Sequence, residues 1–559
     1  MTRRAMRSRA SLLGWLLLAA AAGGRAAAQE ARGSSSTQEG GAAKTKAKAA
    51  ARAAEATASD EFFSKGEILH LRLEIEPADV ELLRGEGRPW VACTLWENDK
   101  VVYPDVRVKL KGAAGSSRPF DEKPGLTLRL DKTFEEQRFH GMTKFHLNNA
   151  VQDDTWLHEW LGSELFRSAG LAATRVSHAR VSINERDVGV YTLKEGFDEP
   201  FLRRWYDEAD GRLYDGGFCQ DIDAALELDI GKGEERADLR RLEAICREPD
   251  LKKRWGTLAE LLDIEQFVSF IALEEMLGHW DGYCINKNNY RIYFTAGDGR
   301  AHFIPHGMDQ LLQDPEAGIL AMPSGMLANA VLRNPEWRAL YRKKIGELLP
   351  LFDAKKLGRK VQETGRRVTK AIAAWDAGAA GPHDSAVDGL VQRIEARQKS
   401  LKRQKSEPDP KPLVFTKDRP VVLDGWRPAS ECEDARLVRD KIGGAKVLIV
   451  AAGRSGTCIA GWRRNVLLAK GRYRFQCAIQ AKDVADLREE APPGRGAGVR
   501  LADGTRTNEL LGSANYRTLE IEFVVEEEAR DVELVVELRA SKGQALFKED
   551  SLRLTLLGD

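Results

Sequence analysis

The sequence is short of cysteine, of net charge and of long apolar runs, and each shortage removes a class of protein. Its seven cysteines, Cys93, Cys219, Cys246, Cys284, Cys432, Cys458 and Cys477, are scattered, with no C-x-x-C pair and no nearby histidine to complete a zinc motif. Most read as small buried apolar residues. The odd count leaves at least one thiol unpaired, and a bridge among the last three fits an exported chain, although sequence does not choose the partners. Charges nearly cancel, 86 Lys plus Arg against 85 Asp plus Glu, so a nucleic-acid partner gets no support. The single long apolar run, Leu12 to Ala22, falls short of the ~20 residues a membrane span needs. Arg3, Arg4, Arg7 and Arg9 precede it and Ala26-Ala27-Ala28 follows, the layout of a cleavable secretory signal over residues 1–28. The expectation is a secreted, periplasmic or cell-surface protein with no integral membrane segment after cleavage. From Gln29 to Glu61 no Val, Ile, Leu, Met or aromatic residue occurs, so residues 29–60 are expected to form a disordered tether.

Beyond the tether, periodicity organises the chain. Glu67 to Glu76 alternates with period 2, and Pro77-Ala78-Asp79 can open a short helix. Further strands are expected at Trp90–Trp96, Val106–Leu110, Leu126–Leu130 and Thr143–Leu147, a helix over Asp154–Ser168, and a hairpin of Arg175–Ile183 with Val188–Lys194. Helical spacing then dominates: Leu239–Cys246, Leu251–Leu262, Ile264–Trp280 and Met326–Lys405, interrupted by strands Tyr290–Phe294 and Ala301–Ile304. This describes an α+β domain over 61–405, strand-rich in its first half and helical in its second. A proline-rich linker at 406–415 leads to residues 416–559, where short alternating strands predict an antiparallel β-sandwich.

Several segments carry chemistry. Lys111-Gly112-Ala113-Ala114-Gly115-Ser116-Ser117 is small enough for its backbone N–H groups and hydroxyls to approach phosphate oxygens; taken alone it is an ordinary strand-to-strand loop. Trp280-Asp281-Gly282 is followed by Asn286, at the five-residue separation between the catalytic-loop Asp and the metal-binding Asn of protein kinases. Taken alone, Asp281 ends a helix and the asparagines satisfy turns. Asp309 follows strand Ala301–Ile304, at a strand end suited to a metal-binding acid.

The order of these pieces resembles the CotH family of atypical, spore coat protein H-like kinases from about Ile75 to Arg403. The resemblance is carried by Lys109 to Ser117, Lys123-Pro124, Phe139-His140-Gly141, Phe145-His146-Leu147-Asn148-Asn149 with Asp153 or Asp154 opening a helix, Gly189 to Glu195, Trp280-Asp281-Gly282, Asn289 to Tyr293 and Ile304 to Asp309. It implies a kinase-like plan and transfer of phosphate from ATP, with Mg²⁺ or Mn²⁺, to Ser or Thr of an exported acceptor protein. On that reading Lys111, Gly112, Ser116, Ser117 and Lys123 meet the nucleotide phosphates. Glu195 orients a lysine or binds metal, or is one half of a surface salt bridge. Asp281 takes the proton of the substrate hydroxyl, and Asn286, Asn289 and Asp309 are the metal candidates. The chain departs from the family at Pro305-His306-Gly307-Met308-Asp309, where CotH domains carry Pro-Trp-Asp-x-Asp. The first acid is replaced by Gly307, which raises the alternative of an inactive pseudokinase serving as a surface or matrix binding protein.

The C-terminal region resembles a jelly-roll module of the carbohydrate-binding type through Trp462-Arg463-Arg464, Gly471 to Phe475, Gly496 to Arg500 and Tyr516. That implies a glycan or surface ligand stacked on exposed rings. The alternative is that Trp426, Trp462 and Tyr473 are core.

Overall fold

The computed structural model describes residues 49–558, apart from 233–235, 417–418, 433, 488–493 and 503. The proposed signal, and the tether up to residue 48, lie outside the described residues. The chain divides into two compact units. One holds the residues up to Ser163 with Thr174–Asp210 and Thr364–Asp384; the other holds Glu164–Ala173, Gly211–Glu363 and Ser385–Asp559.

Residues 49–65 form a helix, α1, which corrects the tether expected there. Phe62, 5 % exposed, packs edge-on to Phe139 and stacks on His140 with centroids 4.6 Å apart. Glu55 accepts from Arg138 at 2.8 Å, and Ser59 and Asp60 accept from Arg175. Gly141, at φ +77°, lets the chain pass so close that a Cβ there would stand 2.0 Å from the Glu55 carbonyl oxygen. Composition misses α1 because polar pairs and one close backbone approach hold it, and its apolar anchors, Phe62 and Phe63, lie just past the polar window.

Seven strands in the first unit close into a barrel: β1 (Leu69–Glu74), β2 (Val91–Glu97), β3 (Val101–Lys111), β4 (Gly125–Arg129), β5 (Lys144–Asn148), β6 (Val176–Ile183) and β7 (Arg186–Glu195), in the order β1-β2-β3-β4-β5-β7-β6. Parallel pairing of β1 with β6 completes the ring, which leaves no exposed sheet edge. Alternation sends Leu71, Leu73, Leu95, Val106, Val108, Leu126, Leu128, Phe145, Leu147 and Leu193 into one core. Around the barrel run α2 (Pro77–Arg84), α3 (His158–Ser168) and α4 (Glu199–Trp205). Asp153, of the two candidates, is the acid that opens α3: its carboxylate accepts the N–H groups of Thr155 and His158, both at 2.9 Å.

The second unit contains a four-stranded sheet ordered β11-β10-β8-β9 from β8 (Arg212–Asp215), β9 (Glu227–Ile230), β10 (Tyr290–Phe294) and β11 (Ala301–Pro305). Its helices include α5 (Ala237–Cys246), α6 (Leu251–Leu261), α7 (Ile264–Leu277), α8 (Tyr283–Asn286), α9 (Met326–Leu332) and α10 (Pro335–Leu348). α11 (Ala354–Trp375) and α12 (Ala380–Lys405) complete the helical set. α7 stops three residues before the predicted end, because Gly278 takes a left-handed C-cap conformation at φ +59°. Its last carbonyls are clamped by fully buried Arg397 of α12, which donates to Glu275 O at 2.6 Å and to Met276 O at 2.9 Å.

Residues 406–415 are fastened at both ends: Asp409 accepts from Arg338 at 2.8 Å, and the Leu413 N–H donates to Leu467 O at 2.9 Å. The sheet that follows contains β12 (Val421–Val422), β13 (Arg427–Ser430), β14 (Arg436–Ile442), β15 (Ala445–Ala451), β16 (Cys458–Ala485), β17 (Gly496–Leu501), β18 (Gly512–Ala540), β19 (Lys542–Lys548) and β20 (Arg553–Gly558). The expected short strands are in places halves of two long ones. β16 and β18 pair along nearly their whole lengths, with a register shift at Ala469/Gly471. The first half of β16 meets β13 and the second half β19 and β20, while both halves bury alternate residues in one core. Trp426, Trp462 and Tyr473 are 4 %, 5 % and 1 % exposed, so these rings are core and form no stacking platform; Tyr516 is exposed.

Candidate functional site

The sequence-expected residues fall into a group in each unit. In the first, the register β3-β4-β5-β7 places Lys109, Thr127, His146 and Lys194 across from one another, with Asn148 opposite Thr192. Since the neighbouring positions fill the barrel core, this row forms the barrel's outer, polar face. Lys194 on β7 forms an ion pair with Glu159 on α3, and both side chains are 3 % exposed. The other Glu159 oxygen accepts from Asn148 at 2.6 Å, and Asn148 accepts from Lys111 at 2.5 Å. A buried ion pair left with one member is costly, so these groups hold one another in place.

Asn148 and Lys194 lie in segments that carry the family resemblance but had no role assigned from sequence, and Glu159 was not singled out at all. Glu195, which was, lies one position beyond Lys194 and therefore on the opposite face of β7. There its carboxylate accepts from Arg175 at 2.7 Å and Arg204 at 2.5 Å. Burial acts to raise its pKa, but the two guanidiniums hold the carboxyl below its ordinary value. The signal for the lysine was present: successive strand residues put Lys194 and Glu195 on opposite sides, and Glu159 lies within the predicted helix Asp154–Ser168.

Lys123 lies among aromatic rings. Its ammonium is 4.9 Å from the Trp156 ring centre, 5.3 Å from Tyr191 and 5.8 Å from Trp375, and burial pushes its pKa down to about 8. The Gly112–Ser117 loop makes its own turn. Gly112 stands at φ +123°, Ser116 Oγ accepts the Ala113 N–H at 3.2 Å, and the Ser117 N–H donates to Ala113 O at 2.9 Å. Arg88 clasps the loop through Gly112 O and Ser117 Oγ, and Asn149 ties Ser116 O to Lys123 O.

In the second unit, the turn after α7 presents Asp281. Its carboxylate accepts side-chain amide N–H groups from Asn286 at 2.6 Å, Asn288 at 3.1 Å and Asn289 at 2.8 Å. The backbone bearing these amides is held from below by Glu274. That carboxylate, 1 % exposed, accepts the N–H groups of Tyr283 at 3.2 Å and Cys284 at 2.8 Å, and burial raises its pKa to about 7. Sequence reasoning missed both Asn288 and Glu274. An acid inside an apolar helix, as Glu274 is, was the available signal.

Gly307 follows the end of β11 in the left-handed region at φ +56°, and a Cβ there would stand 2.1 Å from Asn289 Oδ1. The space that a side chain at 307 would enter is thus occupied by Asn289. Asp309, two residues on, is half-buried. Among the described residues no three His, Cys, Asp or Glu side chains gather as a metal cage. A hard divalent cation takes oxygen ligands and often keeps several waters, and the oxygen donor that this turn presents is the Asp281 carboxylate, towards which Asn286 and Asn289 turn their amide N–H groups.

The family model for CotH kinase protein matches residues 108–401, more than half of the chain. The chain belongs to this family. Its CotH relatives include "Spore coat protein homolog 1" of Rhizopus delemar, 24 % identical over 34 % of this chain and 36 % of that one. "Inner spore coat protein H" of Bacillus subtilis is 23 % identical over 32 % of this chain and 52 % of that protein. "Invasin CotH2" of Rhizopus delemar is 22 % identical over 36 % and 40 %. The match thus spans between about a third and a half of these relatives. Solved structures similar to the chain include bacteriophage CBA120 tailspike protein 4, 10 % identical over 24 % of this chain and 19 % of that one, TM-score 0.18. Another is TmCBM61 in complex with beta-1,4-galactotriose, 13 % identical over 24 % and 88 %, TM-score 0.14. At these TM-scores neither bears on the fold or ligand of this CotH chain. No helix among the described residues is long and apolar enough to cross a membrane.

Proposed function

We propose that this CotH protein is an exported phosphotransferase that binds ATP with Mg²⁺ or Mn²⁺ and phosphorylates Ser or Thr of a secreted or surface protein. The carrying observation is the buried Lys194–Glu159 pair on the polar face of the barrel. Protein kinases use a strand lysine, fixed by a helix glutamate, to hold the phosphates next to the transferred group. Here Asn148 and Lys111 extend the pair towards the Gly112–Ser117 loop on the same strands. In the second unit, three amides fix the Asp281 carboxylate, the acceptor for the proton of an incoming hydroxyl. The surface location draws on relatives named for spore coats and invasion. The C-terminal sheet is a module for docking on glycan or protein.

One observation favours a second reading. Gly307 stands where the family carries an acid, and Asn289 occupies the space beside it. On that reading the chain binds nucleotide without transferring phosphate and serves as a surface or matrix binding protein.

The test incubates the purified protein with γ-labelled ATP, Mg²⁺ or Mn²⁺ and an acceptor protein, alongside direct nucleotide titration. Lys194→Met weakens binding, whereas Asp281→Ala keeps binding and abolishes label transfer. Binding without transfer in the wild type selects the second reading. Absence of nucleotide binding with every metal defeats both.

A further inference from the structure

We propose that Cys432 and Cys458 form a disulfide bridge in the exported protein. β13 runs antiparallel to β16 in the register Arg427↔Arg463 to Ser430↔Ala460. One step on, the Glu431 N–H donates to Ile459 O at 2.9 Å, so this register continues. The next step brings Cys432 opposite Cys458. That bond puts Glu431 and Ile459 at a hydrogen-bonded position of the register, although the Ile459 N–H turns to Cys432 Sγ instead of closing the pair, so by parity the cysteines fall at the neighbouring non-hydrogen-bonded position. There antiparallel Cα atoms stand about 4.5 Å apart and side chains are closest. Disulfides bridge Cα separations of roughly 4.4–6.8 Å.

The local turn brings the sulfur in. Ser430 Oγ accepts the Cys432 N–H at 3.1 Å, and Cys432 Sγ accepts the N–H of Ile459, the residue bonded to Cys458, at 3.2 Å. Cys477, the third cysteine of the sheet, instead lies beside Ser551, whose hydroxyl donates to its sulfur at 3.8 Å.

The two thiols differ in access, and this orders the chemistry. Cys432 is half-buried and Cys458 is fully buried. Burial, with Cys432 and Asp434 nearby, pushes the Cys458 thiol up to about 12. The oxidant is the disulfide of an exported thiol–disulfide oxidoreductase. Deprotonated Cys432 attacks one of its sulfurs, forming a mixed disulfide and releasing the other as a thiolate. Cys458 then gives up its proton, attacks Cys432 Sγ and expels the enzyme's sulfur. One S–S bond forms and one breaks, and two electrons and two protons pass to the oxidoreductase, which leaves as a dithiol.

The closed segment contains the β14–β15 hairpin, whose outer strand β14 is the edge of the sheet and is largely exposed. β15 pairs with β19, whereas β13 pairs with the first half of β16. The bridge therefore anchors an exposed hairpin at its root, against peeling and proteolysis outside the cell.

The test folds the full chain with oxidised glutathione and a disulfide oxidoreductase, then counts thiols in denaturant and maps peptides without reduction. Of seven cysteines, seven minus two, or five, titrate in the wild type, and one peptide pair joins residues 432 and 458. Cys432→Ser titrates six, seven minus one. Cys219→Ser, at an exposed site away from the bridge, titrates four and keeps the linked pair. Reduction speeds cleavage within residues 436–451 by about tenfold or more in the wild type and leaves the rate unchanged in Cys432→Ser. Seven thiols in the oxidised wild type, or a bridge that joins any other pair, overturns the proposal.

Discussion

Replacing Lys194 by Met, Glu159 by Leu, and then both, measures how strongly the ion pair holds the barrel face together. Each side chain of the pair is 3 % exposed, so either single replacement strands a charge with almost no access to water. Breaking such a pair costs about 3–5 kcal/mol. The double replacement leaves no stranded charge. Its main loss is the hydrogen bond from Asn148, about 1 kcal/mol, together with the packing mismatch of two apolar side chains. The expectation is two severely destabilised single variants and a double variant within about 2 kcal/mol of wild type, a coupling energy of several kcal/mol. Amide hydrogen exchange in β5 and β7 reads this locally, without requiring the whole chain to unfold as one unit. Nucleotide titration of the same proteins separates stability from function: the double variant regains protection but not ATP affinity. Single replacements costing less than about 1 kcal/mol, or a double variant as unstable as their sum, would refute the reasoning.

Gly307→Asp is expected to lose at least about 1 kcal/mol, because a non-glycine residue at φ +56° is strained and its Cβ meets Asn289. Adding Asn289→Ala recovers the part due to the collision, read as a rise in thermal midpoint. Lys123 gives stability a basic-side signature. Its pKa is about 8 when folded against 10.5 when free, so the unfolded chain holds the extra proton between these values, and stability rises with pH across that window. Lys123→Met flattens the rise in denaturant titrations. Glu275 acts oppositely. Burial, reinforced by the charge of Glu274, raises it from 4.5 to about 8, so the folded chain holds the extra proton and stability falls as pH climbs through that range. Glu275→Gln removes its share of that fall, most visibly near pH 8, and leaves the part due to Glu274, which is raised to about 7.

Much of the fold is legible in the sequence because period-2 alternation and buried apolar surface are the same fact seen twice. Barrel strands β1, β2 and β5 are marked this way. What alternation leaves open is closure: the parallel β1–β6 pairing joins segments far apart in sequence, and no local signal encodes it. β16 and β18 are read in pieces because the break in alternation near Gly471 looks like a turn but is a register shift within one strand. The site divides similarly. Asp281 and its asparagines are close in sequence and their spacing is visible. The partner of Lys194 is fixed by how α3 lies on the barrel, so the charged residue next to it in sequence, Glu195, drew attention instead. At Gly307 the sequence reports a missing acid, but only the geometry reports that Asn289 fills the space.

Arg397 gives the end of the CotH region a role in its middle. By gripping the last carbonyls of α7, it couples the turn bearing Asp281 to the integrity of α12. A proteolytic nick or truncation between Lys360 and Arg397 would leave every proposed site residue in the chain and still release that turn. Fragments chosen to isolate the catalytic motifs therefore have to run past Arg397 before a lack of activity in them says anything about Asp281.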